Sequence, residues 1–205
     1  MMEKLIEENV IYILGSRGSG KTSLINKLSG KDFNQNEIHS EKGISSTKCN
    51  IDNTIYNIKE LTDDGNFNIT SALKNYLEEI MLIIILFSVD DEKSLEYAKS
   101  LIFFIESNLT YNLDLKIILI GNKYDSKKDN NPKIKVNMLE AENFSREYDD
   151  MYYFEISCKT DYNIESIYKI LDEIKDSKYI EKEDNIHEDS IHEGTTAPSF
   201  SCAIF

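Results

Sequence analysis

Tryptophan is absent from this 205-residue chain, proline occurs only twice, and cysteine three times. So little proline excludes a collagen-like chain. Cys49, Cys158 and Cys202 are too few and too far apart for a disulfide framework, which fits a reducing compartment. Positive charge is also short: 23 Lys and Arg stand against 37 Asp and Glu, for a formal net charge of −14. That balance argues against nucleic acid as a partner, because phosphate backbones are held by clustered Lys and Arg. The longest apolar run, Ile80 to Phe87, falls far below the roughly 20 residues of a membrane span. Met1 to Glu8 is charged rather than apolar, so no secretory signal is expected there.

What is present suffices for one domain with a real core, since 40% of the residues are hydrophobic. The Ile80 to Phe87 run does not alternate, which predicts a strand buried on both faces of a parallel sheet. Val10 to Leu14, Leu115 to Ile120 and the shorter Tyr152 to Ile156 read the same way. Between them, helical spacing covers Lys21 to Leu28, Ile69 to Leu77, Glu92 to Ile105, Leu139 to Tyr148 and Ile164 to Ile174. Alternation through Lys48 to Asp52 and Tyr56 to Leu61, with Asp52-Asn53 as the turn, predicts a hairpin. Strands alternating with helices indicate an open α/β sheet covered on both faces. From about Lys178 the periodicity ends. Residues 1–177 are therefore expected to form the domain and 178–205 a flexible acidic tail.

The chemistry lies at three strand ends. Gly15, Ser16, Arg17, Gly18, Ser19, Gly20, Lys21 and Thr22 fit G-x-x-x-x-G-K-[ST], between a predicted strand and a predicted helix that Ser23 continues. Glycines let backbone N–H groups curl around phosphate oxygens, and the helix places its positive end at the same point. Lys21 would offset charge on the β- and γ-phosphates, and the Thr22 hydroxyl would ligate Mg²⁺, which prefers hard oxygens. Asn122, Lys123 and Asp125 follow the second Ile-rich strand in an N-K-x-D quartet. Ser157, Cys158 and Lys159 follow the last strand. Both groups fall beyond the carboxyl ends of strands, where open α/β sheets bind ligands.

With these motifs in place, the chain resembles the small GTPases of the Ras superfamily, the Rab branch in particular, over about Asn9 to Lys175. The phrasing of Ala141 to Tyr148, of Tyr153 to Glu165 and of Asp91 to Leu95 is Rab-like. The resemblance implies a P-loop NTPase fold: a Ras-like six-stranded, mostly parallel sheet with five helices on its two faces. It also implies a switch between GDP and GTP in vesicle trafficking, acting with effector, exchange-factor and GAP proteins; a monomer is expected, although the sequence carries no signal for or against a tight dimer. By that analogy Asp125 takes both guanine N–H donors, and ATP would leave its carboxylate unpaired. Asn122 fixes the base loop and reaches the guanine edge, the stems of Lys123 and Lys159 sandwich the base, and the Ser157–Lys159 backbone donates to the guanine oxygen.

Three departures qualify the catalytic expectation. The first-switch threonine falls on Ser40, expected as a metal ligand, with a shifted register onto Ser45, Ser46 or Thr47 as the alternative. The second switch reads Thr62-Asp63-Asp64-Gly65-Asn66. Gly65 keeps the place whose amide turns toward the γ-phosphate, but Thr62 stands where an aspartate would hold the metal's water shell, with Asp63 or Asp64 as the substitute if the register slips. Asn66 replaces the glutamine that orients the attacking water and is one methylene short. Arg17 occupies a loop position that the family keeps small, where it either obstructs the attacking water or serves as a finger in cis; obstruction is the expected role. Guanine binding with slow hydrolysis is therefore expected. The alternative is a GTP-binding scaffold, with little or no hydrolysis, that recruits partners in one fixed state. Cys202-Ala-Ile-Phe205 fits C-a-a-X, so geranylgeranylation of Cys202 is expected. That places a cytoplasmic protein reversibly on the cytosolic face of an endomembrane or the plasma membrane. With the acidic tail, residence is expected to be weak on anionic bilayers.

Overall fold

In the computed structural model the described residues are 9–34, 43–62, 80–109, 115–127, 136–148 and 151–176. They fall in two compact units that divide between Ile164 and Glu165. The first contains strands β1 (Asn9–Gly15), β2 (Gly43–Ile51), β3 (Thr54–Thr62), β4 (Ile80–Ser88), β5 (Lys116–Asn122) and β6 (Met151–Glu155). Its helices are α1 (Lys21–Leu28), α2 (Glu92–Leu109) and α3 (Met138–Ser145), with a 3₁₀ turn at Tyr124–Lys127. The second unit holds helix α4 over 165–176, in which Ile167, Ile170, Leu171 and Ile174 form a buried stripe. The helix expected at Ile69 to Leu77 lies outside the described residues.

The six strands form one sheet in the order β2-β3-β1-β4-β5-β6, parallel throughout except for the β2–β3 hairpin. All nine residues of β4 are buried, as an Ile-rich strand with parallel neighbours on both sides requires. Alternation divides the core. Val10, Tyr12, Leu14, Ile83, Ile85 and Phe87 join Leu95, Ala98, Ile102 and Ile105 of α2 in one cluster. Helix α1 meets β1, β2 and β3 from the opposite side, where Ile11, Ile13 and Ile58 are fully buried. Local chemistry sets the helix starts: the Asp91 carboxylate accepts from the Lys93 amide at 3.1 Å, and Asn137 accepts from the Leu139 amide at 3.1 Å.

The hairpin turns through Asp52 and Asn53, with φ of 46° and 63°, the doubly positive geometry of a two-residue hairpin loop. Strand β2 begins at Gly43, five residues before the predicted start, and pairs along its whole length with β3. It is an edge strand, so Ser45, Ser46 and Thr47 need no apolar pattern to stay in the ladder. None of the described helices is long and apolar enough to cross a membrane.

The sheet positions a site by its connections. Chain leaving β1 returns toward β2 and β3, whereas chain leaving β4 goes to β5 on the other side. Connections diverging from neighbouring strands leave a crevice at their carboxyl ends. The β1–α1 loop lies there.

Candidate functional site

Backbone approach explains the loop's glycines. A Cβ on Gly15 would sit 2.2 Å from the Leu86 carbonyl oxygen of β4. Gly20, which opens α1 with φ at 101°, would place one 2.0 Å from the Asn122 amide nitrogen. Lys21 folds back over the loop it follows, its Nζ donating to the Gly15 carbonyl at 3.0 Å and the Ser16 carbonyl at 3.2 Å. Burial pulls the Lys21 ammonium below its ordinary pKa, and the charge of Glu60 opposes that pull. The hydroxyls of Ser16 and Ser19 are buried without a hydrogen-bond partner among the described residues. Such groups call for one. Arg17 and Gly18 form the exposed outer turn, and Ser23 is half-buried in the first turn of α1.

Beside this loop a carboxylate enters from β3. Glu60 is only 3% exposed and lies on the same face of the strand as buried Tyr56 and Ile58. Both its carboxylate oxygens are 3.1 Å from Thr22 Oγ1, which donates to them. Of the expected metal residues, Thr22 is here and Thr62 ends β3 opposite Gly43. Ser40, Gly65, Asn66 and Cys202 lie outside the described residues. Sequence reading missed Glu60. Its signal was phase: Tyr56, Ile58 and Glu60 occupy successive inward positions, so an acid at the third is out of place in a simple core.

At the far side, chain leaving β5 and β6 is tied together. Buried Asn122 donates its amide to the Ser19 carbonyl at 2.9 Å and accepts the Cys158 N–H at 3.3 Å. One side chain thus joins the glycine loop to the 157–159 loop. Asp125, in the 3₁₀ turn, accepts the Ser157 hydroxyl at 2.7 Å and faces the Lys159 ammonium at 3.7 Å. Lys123 takes a positive φ of 68°, and its ammonium lies 3.6 Å from Asp90. The Tyr124 amide donates to the Ile156 carbonyl at 3.0 Å. Tyr124 and Tyr162 stack with ring centroids 4.6 Å apart, a neighbour pair the motifs do not announce. Burial pushes the Cys158 thiol up to about 12, so it remains protonated and inert near neutrality.

The sheet therefore gathers the 15–23 loop, Asn122, Lys123, Asp125 and Ser157–Lys159 along one edge. Two buried hydroxyls, a glycine loop that opens a helix, one folded-back lysine and a Thr–Glu oxygen pair suit a polyphosphate with a hard cation. A carboxylate in a polar socket suits a donor-bearing ring. The fold and loop together define an α/β protein of the P-loop NTPase class. The sequence model of the Ras family matches residues 10–176, and the chain belongs to that family. It is similar to Ras-related protein Rab-12 of Mus musculus, Rattus norvegicus and Homo sapiens, each 24% identical over 169 residues. The matched stretch covers 80% of this chain and 66% of each relative, just under two thirds of their length.

Proposed function

We propose that this protein is a guanine-nucleotide switch of Rab type, binding GDP and GTP with Mg²⁺ and hydrolysing GTP slowly. The observation that carries the reading is Asp125, held by the Ser157 hydroxyl and the Lys159 ammonium at the ends of β5 and β6. A carboxylate so placed accepts the paired N–H donors of guanine. Adenine lacks them and would leave the charge unpaired. Asn122 braces the base loop against the glycine loop, so base and phosphate are gripped in fixed register. The amides of the loop, with Lys21, hold the phosphates. Thr22 would hold the Mg²⁺, whose charge, when bound, offsets that of the phosphates.

Arg17 favours the slow end of the range. It is exposed on the loop's outer turn, and by the family resemblance that position borders the approach of the attacking water and of any finger from a GAP. If hydrolysis is negligible, the same site makes a scaffold fixed in one nucleotide state. Vesicle trafficking is the proposed setting, from the Rab-like phrasing of the sequence. Titration with fluorescent GDP and GTP, followed by single-turnover hydrolysis, tests the reading. Tight guanine binding with hydrolysis slower than typical Rab proteins is expected. A typical rate would sink slow turnover, and equal binding of ATP would sink the base assignment.

A further inference from the structure

The geometry points to Glu60 as this chain's metal-side carboxylate, coupling Mg²⁺ to the bound nucleotide through Thr22. The inference rests on the nucleotide reading above and adds a residue that the sequence motifs do not contain.

A carboxylate 3% exposed inside a sheet face is costly unless it is paired. The nearby Lys21 ammonium, which the Glu60 charge favours, offsets part of that cost, and Thr22 is a weak answer to the rest. A hydroxyl has one proton, yet both Glu60 oxygens lie 3.1 Å from Thr22 Oγ1. A strong O–H···O⁻ bond would be about 2.5–2.7 Å long and directed at a single oxygen. Oxygens around a common cation behave differently. With arms of 2.0–2.1 Å, neighbouring corners of an Mg²⁺ octahedron are about 2.9 Å apart. The Thr22–Glu60 separation is close to that edge. Mg²⁺ is characteristically held by one or two carboxylates with substrate phosphates and waters, rather than by an all-protein cage. The metal would arrive with the nucleotide.

The sequence makes room for this role. Thr62, two residues further along β3, brings a hydroxyl where the resemblance expects a carboxylate. Glu60 returns the missing charge one pleat earlier on the same strand, where it reaches the motif's own Thr22. A purely structural Glu60 would serve only to accept from Thr22, and glutamine would do that equally well.

The two roles differ in their dependence on metal. Without Mg²⁺ the Glu60 charge repels the phosphates; with Mg²⁺ it binds them indirectly. We measure dissociation of fluorescent GDP in EDTA and in millimolar Mg²⁺, for the full chain and for Glu60→Gln. The ratio of the two rates should fall by about tenfold to a hundredfold in the variant, with slower release in EDTA and faster release in Mg²⁺. An unchanged ratio overturns the inference. A second measurement needs no variant: Mn²⁺·GDP is bound to protein grown with carboxyl-¹³C glutamate and examined by electron–nuclear double resonance. A ¹³C coupling at the range of a bound or water-bridged carboxylate is expected, and its absence overturns the inference. Failure of the full chain to bind GDP at all overturns both this inference and the reading beneath it. That failure appears as missing bound nucleotide, distinct from an unchanged ratio.

Discussion

At the carboxyl ends of β5 and β6, polar groups are satisfied by one another. Asn122 spans two loops, Ser157 holds Asp125, and the Ser157 hydroxyl also accepts the Thr160 amide at 3.1 Å. At the ends of β1 and β3 the reverse holds. Two buried hydroxyls, Ser16 and Ser19, lack partners among the described residues, and Thr22 shares one proton between two long contacts. The first region is satisfied internally; the second leaves groups that, on the proposed reading, a ligand would complete. On the proposed reading the base end would enforce selectivity at little ordering cost. On the same reading the phosphate end would respond to what occupies it, as a switch requires.

The sharpest way to break this contrast is to remove the selecting group. Asp125→Ala should lower the preference for GTP over ATP by roughly 10³-fold, from the loss of a bidentate charged contact. Competition against fluorescent GDP reads it, and an unaltered preference would count against the socket. Uncoupling the two regions comes next. Asn122→Ala leaves the Ser19 carbonyl and the Cys158 N–H buried and unpaired, costing about 2–4 kcal/mol of stability in denaturant melts. A loss confined to nucleotide affinity would contradict the bracing role.

Changes in the glycine loop should act on the phosphate end. Gly20→Ala forces a Cβ to within 2.0 Å of the Asn122 amide at a φ of 101°, and should cost about 1–3 kcal/mol. Arg17→Gly should leave GDP affinity near its starting value while raising single-turnover hydrolysis roughly tenfold. A fall in rate would instead make Arg17 a finger in cis. The smallest effect concerns Cys158. With its thiol pushed up to about 12 by burial, it should resist alkylation at pH 8 in the folded protein and react on unfolding, as read by peptide mass.

Much of the scaffold was legible in the sequence because it rests on local rules. Unbroken Ile-rich runs became buried parallel strands, and Asp52-Asn53 became the hairpin turn. What escaped depended on neighbours distant in sequence. Asn122 and Ser19 are 103 residues apart, and no local pattern tells an amide which carbonyl it will meet. Strand β2 ran longer than its alternation because an edge strand is held by its ladder, not by burial. Glu60 was hidden by phase, since alternation read toward Leu61 makes the acid look like a solvated partner when it belongs with Tyr56 and Ile58.

Equilibrium competition of GTP and ATP for the full chain with fluorescent GDP in Mg²⁺ tests the selecting socket most directly. GTP should displace the probe at concentrations at least about a thousandfold below ATP. Displacement by the two nucleotides at equal concentration would contradict the account.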